Sequence, residues 1–188
     1  MMAEDLRPSQ IITRTALENA VPPVTGSGGS TNGVLHTLAF AREAGIPLTL
    51  EDIETISRRT PLLADMLPTG RFTAIDLYKA GGIRLFAQRM LEGGYLDGSA
   101  MTVTGRTLAQ EAAGARETPG QEVIRPLDNP VNASGGLHVL TGNLAPQGGV
   151  VKLKGIEPMK FSGPARIFNR EEDAFHAVQN HEVKAGDV

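Results

Sequence analysis

Cysteine is absent from the 188 residues of this chain. That absence excludes disulfides, thiol catalysis, thiolate-built zinc sites and iron–sulfur clusters ligated by the chain's own sulfur. Tryptophan is also absent and aromatic residues make up 4%, so any core rests on Leu, Ile, Val and Ala. No basic excess exists: Lys+Arg 18 against Asp+Glu 21 gives a net charge of −3. Nucleic-acid and acidic-membrane binders, which carry clustered positive charge, are therefore not expected. No apolar run approaches the roughly 20 residues of a membrane-spanning helix. The acidic start Met1-Met2-Ala3-Glu4-Asp5 leads into no apolar stretch of the signal-peptide kind. A cytoplasmic protein of one large or two small domains is the expectation, with Asn132-Ala133-Ser134 an incidental match to the glycosylation pattern.

What is present changes character near Thr118. Before it, short helical patterns alternate with glycine and proline. Thr15-Ala16-Leu17-Glu18 has capping-box spacing, and Pro22-Pro23 is expected to end or kink that helix. Val34, Leu35, Leu38 and Ala39 repeat at helical spacing up to Gly45 and Pro47. Thr49 opens a helix with Ile53 and Ile56 on one face and Pro61 as its stop. Thr73 opens another that Gly81-Gly82 interrupts, with Ile83, Phe86 and Met90 carrying the pattern on, and Thr107 to Ala113 predicts a last short helix. After Ala115–Gln121, which has the composition of a linker, β-type runs appear at Val123-Ile124, Leu137–Leu140, Val150–Leu153 and Ala165–Phe168. Glycine pairs punctuate them as turns, and an acidic-capped helix follows from Asn169 to about Gln179.

The strongest local signal is Gly26-Ser27-Gly28-Gly29-Ser30-Thr31-Asn32 running into an apolar helix. Glycines allow close backbone approach, and free N–H groups at a helix start attract carboxylate or phosphate. Gly28, Gly29, Ser30, Thr31 and Asn32 are thus candidate substrate- or anion-binding residues; a tight turn with an N-cap is the plainer reading of the same string. It lacks the Gly-Lys-Ser/Thr of a P-loop and the dinucleotide fingerprint. His36, His138, His176 and His181 show no metal-binding spacing, so no metal ligands are assigned. Arg125 and Asp128, in a proline-fixed turn, are expected to pair and hold a domain junction, and Glu171-Glu172-Asp173 reads as helix-capping charge.

Several long strings carry a family resemblance: Gly28-Gly29-Ser30-Thr31-Asn32-Gly33-Val34-Leu35-His36, Ala80-Gly81-Gly82-Ile83, Leu91-Glu92-Gly93-Gly94, Thr102-Val103-Thr104-Gly105-Arg106-Thr107-Leu108, Val123 to Pro130, Gly142-Asn143-Leu144-Ala145-Pro146 and Phe161-Ser162-Gly163-Pro164-Ala165-Arg166. In this order and spacing they resemble the middle of a dihydroxy-acid dehydratase, along nearly the whole chain; Pro22-Pro23 departs from the family's helix-compatible pattern. The resemblance implies an α/β (α+β) class: residues 1–118 as the helix-rich end of an N-terminal α/β domain, and residues 119–188 as the start of a swivelling β-barrel-like domain. It implies a hydro-lyase of branched-chain amino-acid biosynthesis that turns a 2,3-dihydroxy acid into a 2-keto acid and water. By the same resemblance a cluster iron would assist the departing hydroxyl, Mg²⁺ would hold the carboxylate, and a serine base would act at C2. The family's cluster cysteines, magnesium ligands and serine base map onto no residue here, so no catalytic or metal residue is assigned. This chain alone is expected to be an internal fragment, inactive and binding neither cofactor. The longer protein would act on a small-molecule hydroxy acid as a homodimer or homotetramer. A sugar-acid (aldonate or 6-phosphogluconate) dehydratase is the neighbouring alternative, and a non-catalytic anion-binding or assembly protein the alternative of another class. Uncovered apolar faces and self-association are expected of such a piece.

Overall fold

In a computed structural model the described residues are 5–153, 160 and 162–188. The first four residues and Phe161 of the Phe161–Arg166 string lie outside them. Packing divides the chain into two units, Met1–Gly155 and Ile156–Val188. The first holds α1 (Pro8–Ile11), α2 (Arg14–Gly26), α3 (Asn32–Glu43), α4 (Leu50–Arg59), α5 (Ala74–Ala80), α6 (Gly82–Glu92), α7 (Leu108–Ala112), β1 (Leu137–Leu140) and β2 (Gly149–Lys152); the second holds α8 (Glu171–Gln179). The class is mixed helix with one small antiparallel sheet.

Local chemistry sets most helix starts. Thr49, Thr73 and Thr107 each accept from the backbone N–H three residues on, while Asp52, Asp76 and Gln110 reach back to the cap. α2 departs from the sequence expectation at both ends. Its cap is Thr13, whose extended backbone (φ −115°, ψ 169°) lets the hydroxyl accept from Ala16 N, so Thr15 lies inside the helix. Pro22 and Pro23 do not end it; the helix runs on to Gly26. The two prolines leave the Glu18 and Asn19 carbonyls without helical donors. Burial of Val21, Pro22, Thr25 and Gly26 offsets that loss, and the Asn19 side chain is tied to both backbone groups of Asp97.

Two apolar clusters flank α2. Leu63, Ala80, Leu85, Phe86, Met90, Leu96, Val123 and Ile124 form one; Val21, Val34, Ile53, Ile56 and Leu137 form the other. α3 meets the second through Val34 and Leu38 and also buries Thr37 and Ala41, whereas Leu35 and Ala39 of the expected apolar set face outward. Repeats at three and four residues match two adjacent stripes, and packing against α2 selects only one.

The hairpin pairs Leu137 with Lys152 and Leu140 with Gly149. A two-stranded ribbon is marginal alone; α4 supports this one. Glu54 Oε2 accepts from Val139 N (2.5 Å), and Ser57 Oγ donates to the Leu137 carbonyl. Val123-Ile124 forms only an isolated bridge, with Ala64. Ala165–Phe168 is not a strand: Arg166 N bonds Val188 O (2.8 Å) and Val188 N bonds Pro164 O (3.0 Å), no ladder follows, and Ile167 stays 87% exposed. Thr118, at the composition shift, is bonded to Ala80 O through its N–H and to Lys79 O through its hydroxyl.

Phe86 is 1% exposed; Phe86→Ala is expected to cost about 3–5 kcal/mol of stability, read as a lower urea midpoint. Asp52 is held down to a pKa of about 2 by the Arg14 guanidinium first and then by Thr49, against an ordinary 3.8. A depressed carboxylate contributes stability that is complete above its unfolded value. It is lost as pH falls from about 4 towards 2, so Asp52→Asn should flatten that stretch of an acid-melting curve relative to the unmodified chain.

Candidate functional site

The glycine loop is tighter than its composition suggests. Gly28 has φ +62°, the left-handed region that favours glycine. Gly29 and Gly33 are required by contact: a Cβ on Gly29 would sit 2.8 Å from Val24 O, and one on Gly33 2.7 Å from Val24 Cγ1. Most of the loop's donors are already taken, by the end of α2 and by Ser30. Gly28 N bonds Thr25 O (3.3 Å), Gly29 N bonds Val24 O (2.7 Å), Gly33 N bonds Ser30 O (2.9 Å), and Asn32 N bonds Ser30 Oγ (3.2 Å). Thr31 caps α3 without a side-chain bond. Among the described residues, the loop's free N–H groups are those of Ser30 and Thr31. A helix start with two such donors exposed can still hold one oxyanion edge. Ser30, Thr31 and Asn32 are exposed, whereas Gly28 is buried.

Gly28 also walls a cleft of about 200 Å³, with Asp65, Thr69, Asn132, Gly136 and Leu153 among its other walls. The Asp65–Phe72 turn closes on itself through Phe72 N to Asp65 O (3.0 Å) and Gly70 N to Met66 O (2.6 Å), with Arg71 Nε on the Asp65 carboxylate at 2.5 Å. Above it, Lys152 of β2 donates to Gly28 O at 2.5 Å. Sequence reading singled out neither Lys152 nor Thr69. The signals existed: Pro68-Thr69-Gly70 is a turn string, and a lysine two residues after Val150 falls on the strand's apolar face.

The other candidates stay apart. His36, His176 and His181 are exposed, while His138 Nδ1 lies 3.6 Å from Glu54 Oε1. Arg125 does not pair with Asp128 among the described residues; its backbone N–H bonds Leu63 O (2.7 Å), which directs the turn along the Leu62–Ala64 segment instead. Asp173 pairs with Arg170 at the start of α8. Among the described residues no three His, Asp or Glu side chains converge as a ligand set, and the chain supplies no thiolate. Among the described residues these donors do not fit an iron–sulfur cluster or a carboxylate-held magnesium. Nor, among the described residues, is any helix long and apolar enough to cross a membrane.

Comparison with known proteins gives matches along the full length. The family described as dihydroxy-acid/6-phosphogluconate dehydratase matches in its N-terminal part over residues 1–111 and in its C-terminal part over residues 122–188. A dihydroxy-acid dehydratase of Roseiflexus castenholzii is 57% identical over 188 residues, all of this chain and 34% of that protein. Those of Koribacter versatilis and Thermus thermophilus are 56% and 50% identical over the same 188 residues, covering 33% and 34% of their lengths. The chain thus spans about a third of the length of the curated relatives it matches. Matched in order by both family parts and by relatives of this identity, the chain belongs to the dihydroxy-acid/6-phosphogluconate dehydratase family.

Proposed function

We propose that this chain is part of a dehydratase that removes water from a 2,3-dihydroxy carboxylic acid to give a 2-keto acid. The observation that carries the reading is the 57% identity to a dihydroxy-acid dehydratase over the whole chain. An aldonate or 6-phosphogluconate substrate is the second reading, favoured by the breadth of the family description. Iron–sulfur and magnesium chemistry, as implied by the family, would come from residues outside this chain. Its own contribution is the Gly28–Asn32 loop: the Ser30 and Thr31 N–H groups at the start of α3, with the Ser30, Thr31 and Asn32 side chains beside them, would hold one end of the hydroxy acid.

The domain division at Thr118 belongs to the same reading. The two family parts end at 111 and begin at 122, which supports it, and the antiparallel hairpin β1–β2 is compatible with the opening of a β-barrel-like domain. A cytoplasmic, homo-oligomeric protein of family length is proposed as well, in keeping with the net charge of −3.

Two preparations test the activity: the 188-residue chain alone, and the Roseiflexus castenholzii relative with its matched third replaced by this chain. With 2,3-dihydroxyisovalerate the second is expected to form 2-keto acid and the first none; turnover by the short chain alone would overturn the reading. Assaying 6-phosphogluconate in parallel decides between substrates. The loop itself is tested by Gly29→Ala, whose Cβ meets the Val24 carbonyl. It should cost about 1–3 kcal/mol, whereas Gly142→Ala, with nothing within 4 Å, should leave the melting temperature unchanged.

A further inference from the structure

The inner face of the hairpin carries a residue that its surroundings do not explain. Strand alternation and register put Leu137, Val139, Val150 and Lys152 on one face. Leu137 is buried in the cluster with Val21, Val34, Ile53 and Ile56, and Val150 packs against it. A lysine at the fourth position of an apolar face is costly unless its ammonium finds a partner. Lys152 takes part in none of the ion pairs formed among the described residues. The acceptor it reaches is the carbonyl of Gly28, at 2.5 Å.

The strand that bears Lys152 is itself fixed. Ser57 and Glu54 hold β1, Leu153 N bonds Gly136 O at 2.7 Å, and Gly135 lies so close to the end of α2 that a Cβ there would be 2.8 Å from Thr25 Cβ. The loop, by contrast, turns through a left-handed residue at Gly28, and its bond from Gly28 N to Thr25 O is long, at 3.3 Å. A charged donor on a fixed strand therefore meets the carbonyl of the loop's left-handed glycine.

We infer that Lys152 is a positioning residue for the Gly28–Asn32 loop: its ammonium fixes the Gly28 carbonyl, and through it the direction of the Ser30 and Thr31 N–H groups that would meet an acidic substrate. The inference rests on the reading of that loop as the hydroxy-acid contact, but its first test does not. Hydrogen exchange is followed on the 188-residue chain, comparing Lys152→Met and Lys152→Arg with the unmodified protein. A hydrogen bond from a charged donor is worth enough that its loss should speed exchange at the Gly28 and Gly29 amides about tenfold. The Val139 amide, held by Glu54, should not change, and arginine should restore protection. Equal exchange at Gly28 and Gly29 in all three proteins, equal loosening at Val139, or failure of arginine to restore protection would overturn the inference.

The second measurement is made in the family-length replacement protein. Lys152→Met should raise KM for 2,3-dihydroxyisovalerate about tenfold, with the melting temperature unchanged and arginine restoring KM; an unchanged KM alongside a loosened loop would overturn the link to substrate. If that protein turns over no hydroxy acid even with Lys152 in place, the functional reading fails, while the exchange data still decide what Lys152 does to the loop.

Discussion

Where α2 ends, the chain approaches itself so closely that an added Cβ would force the Met90 side chain to shift. A Cβ on Gly26 would fall 2.2 Å from Met90 Cε and 3.0 Å from the Pro61 carbonyl. The Gly26 carbonyl accepts from both Leu63 N (2.8 Å) and Ala64 N (3.0 Å). One residue thereby joins α2 to α6 through packing and to the Leu62–Ala64 segment through its backbone. The rest follows from that contact. The Leu62–Ala64 segment in turn receives Arg125 and Val131 as backbone partners, so residues on both sides of the composition shift share one frame. The glycine loop leaves directly from this anchored end.

Features governed by neighbours along the chain are legible in the residue string itself. The Thr-x-x-Asp and Thr-x-x-Gln caps act within one turn, so their spacing marks Thr49, Thr73 and Thr107, although Thr15, equally spaced from Glu18, lies inside α2 behind the Thr13 cap. The hairpin strands are legible too, because alternation and glycine turns are local signals. What the string hides is decided at a distance. Pro22 and Pro23 stay helical because the helix around them is buried, and tertiary burial is not written in a dipeptide. Leu35 and Leu38 look equivalent in a helical repeat, yet only contact with α2 picks the stripe that faces inward. Ala165–Phe168 has strand composition and, among the described residues, lacks a strand to pair with.

The candidate loop shows the same division. Its existence and its glycines are plain in the string Gly28-Gly29-Ser30-Thr31-Asn32. Its interior is not: Val24 sets the need for glycine at 29 and 33, and the last carbonyls of α2 together with Ser30 take up most of the donors that composition seemed to offer. Family membership explains how such a loop can matter in a chain without thiolates. The relatives are about three times as long as the stretch they share with it, and chemistry that needs sulfur or magnesium has room to reside in the remainder.

The bonds from α4 to β1 have a consequence for how the sheet can grow. An exposed strand edge is a template on which another strand can add. On β1 two of the outward-facing groups are occupied, Val139 N by Glu54 and Leu137 O by Ser57. A strand added at β1 would have to displace those two side chains of α4, so a helix guards that edge of the hairpin.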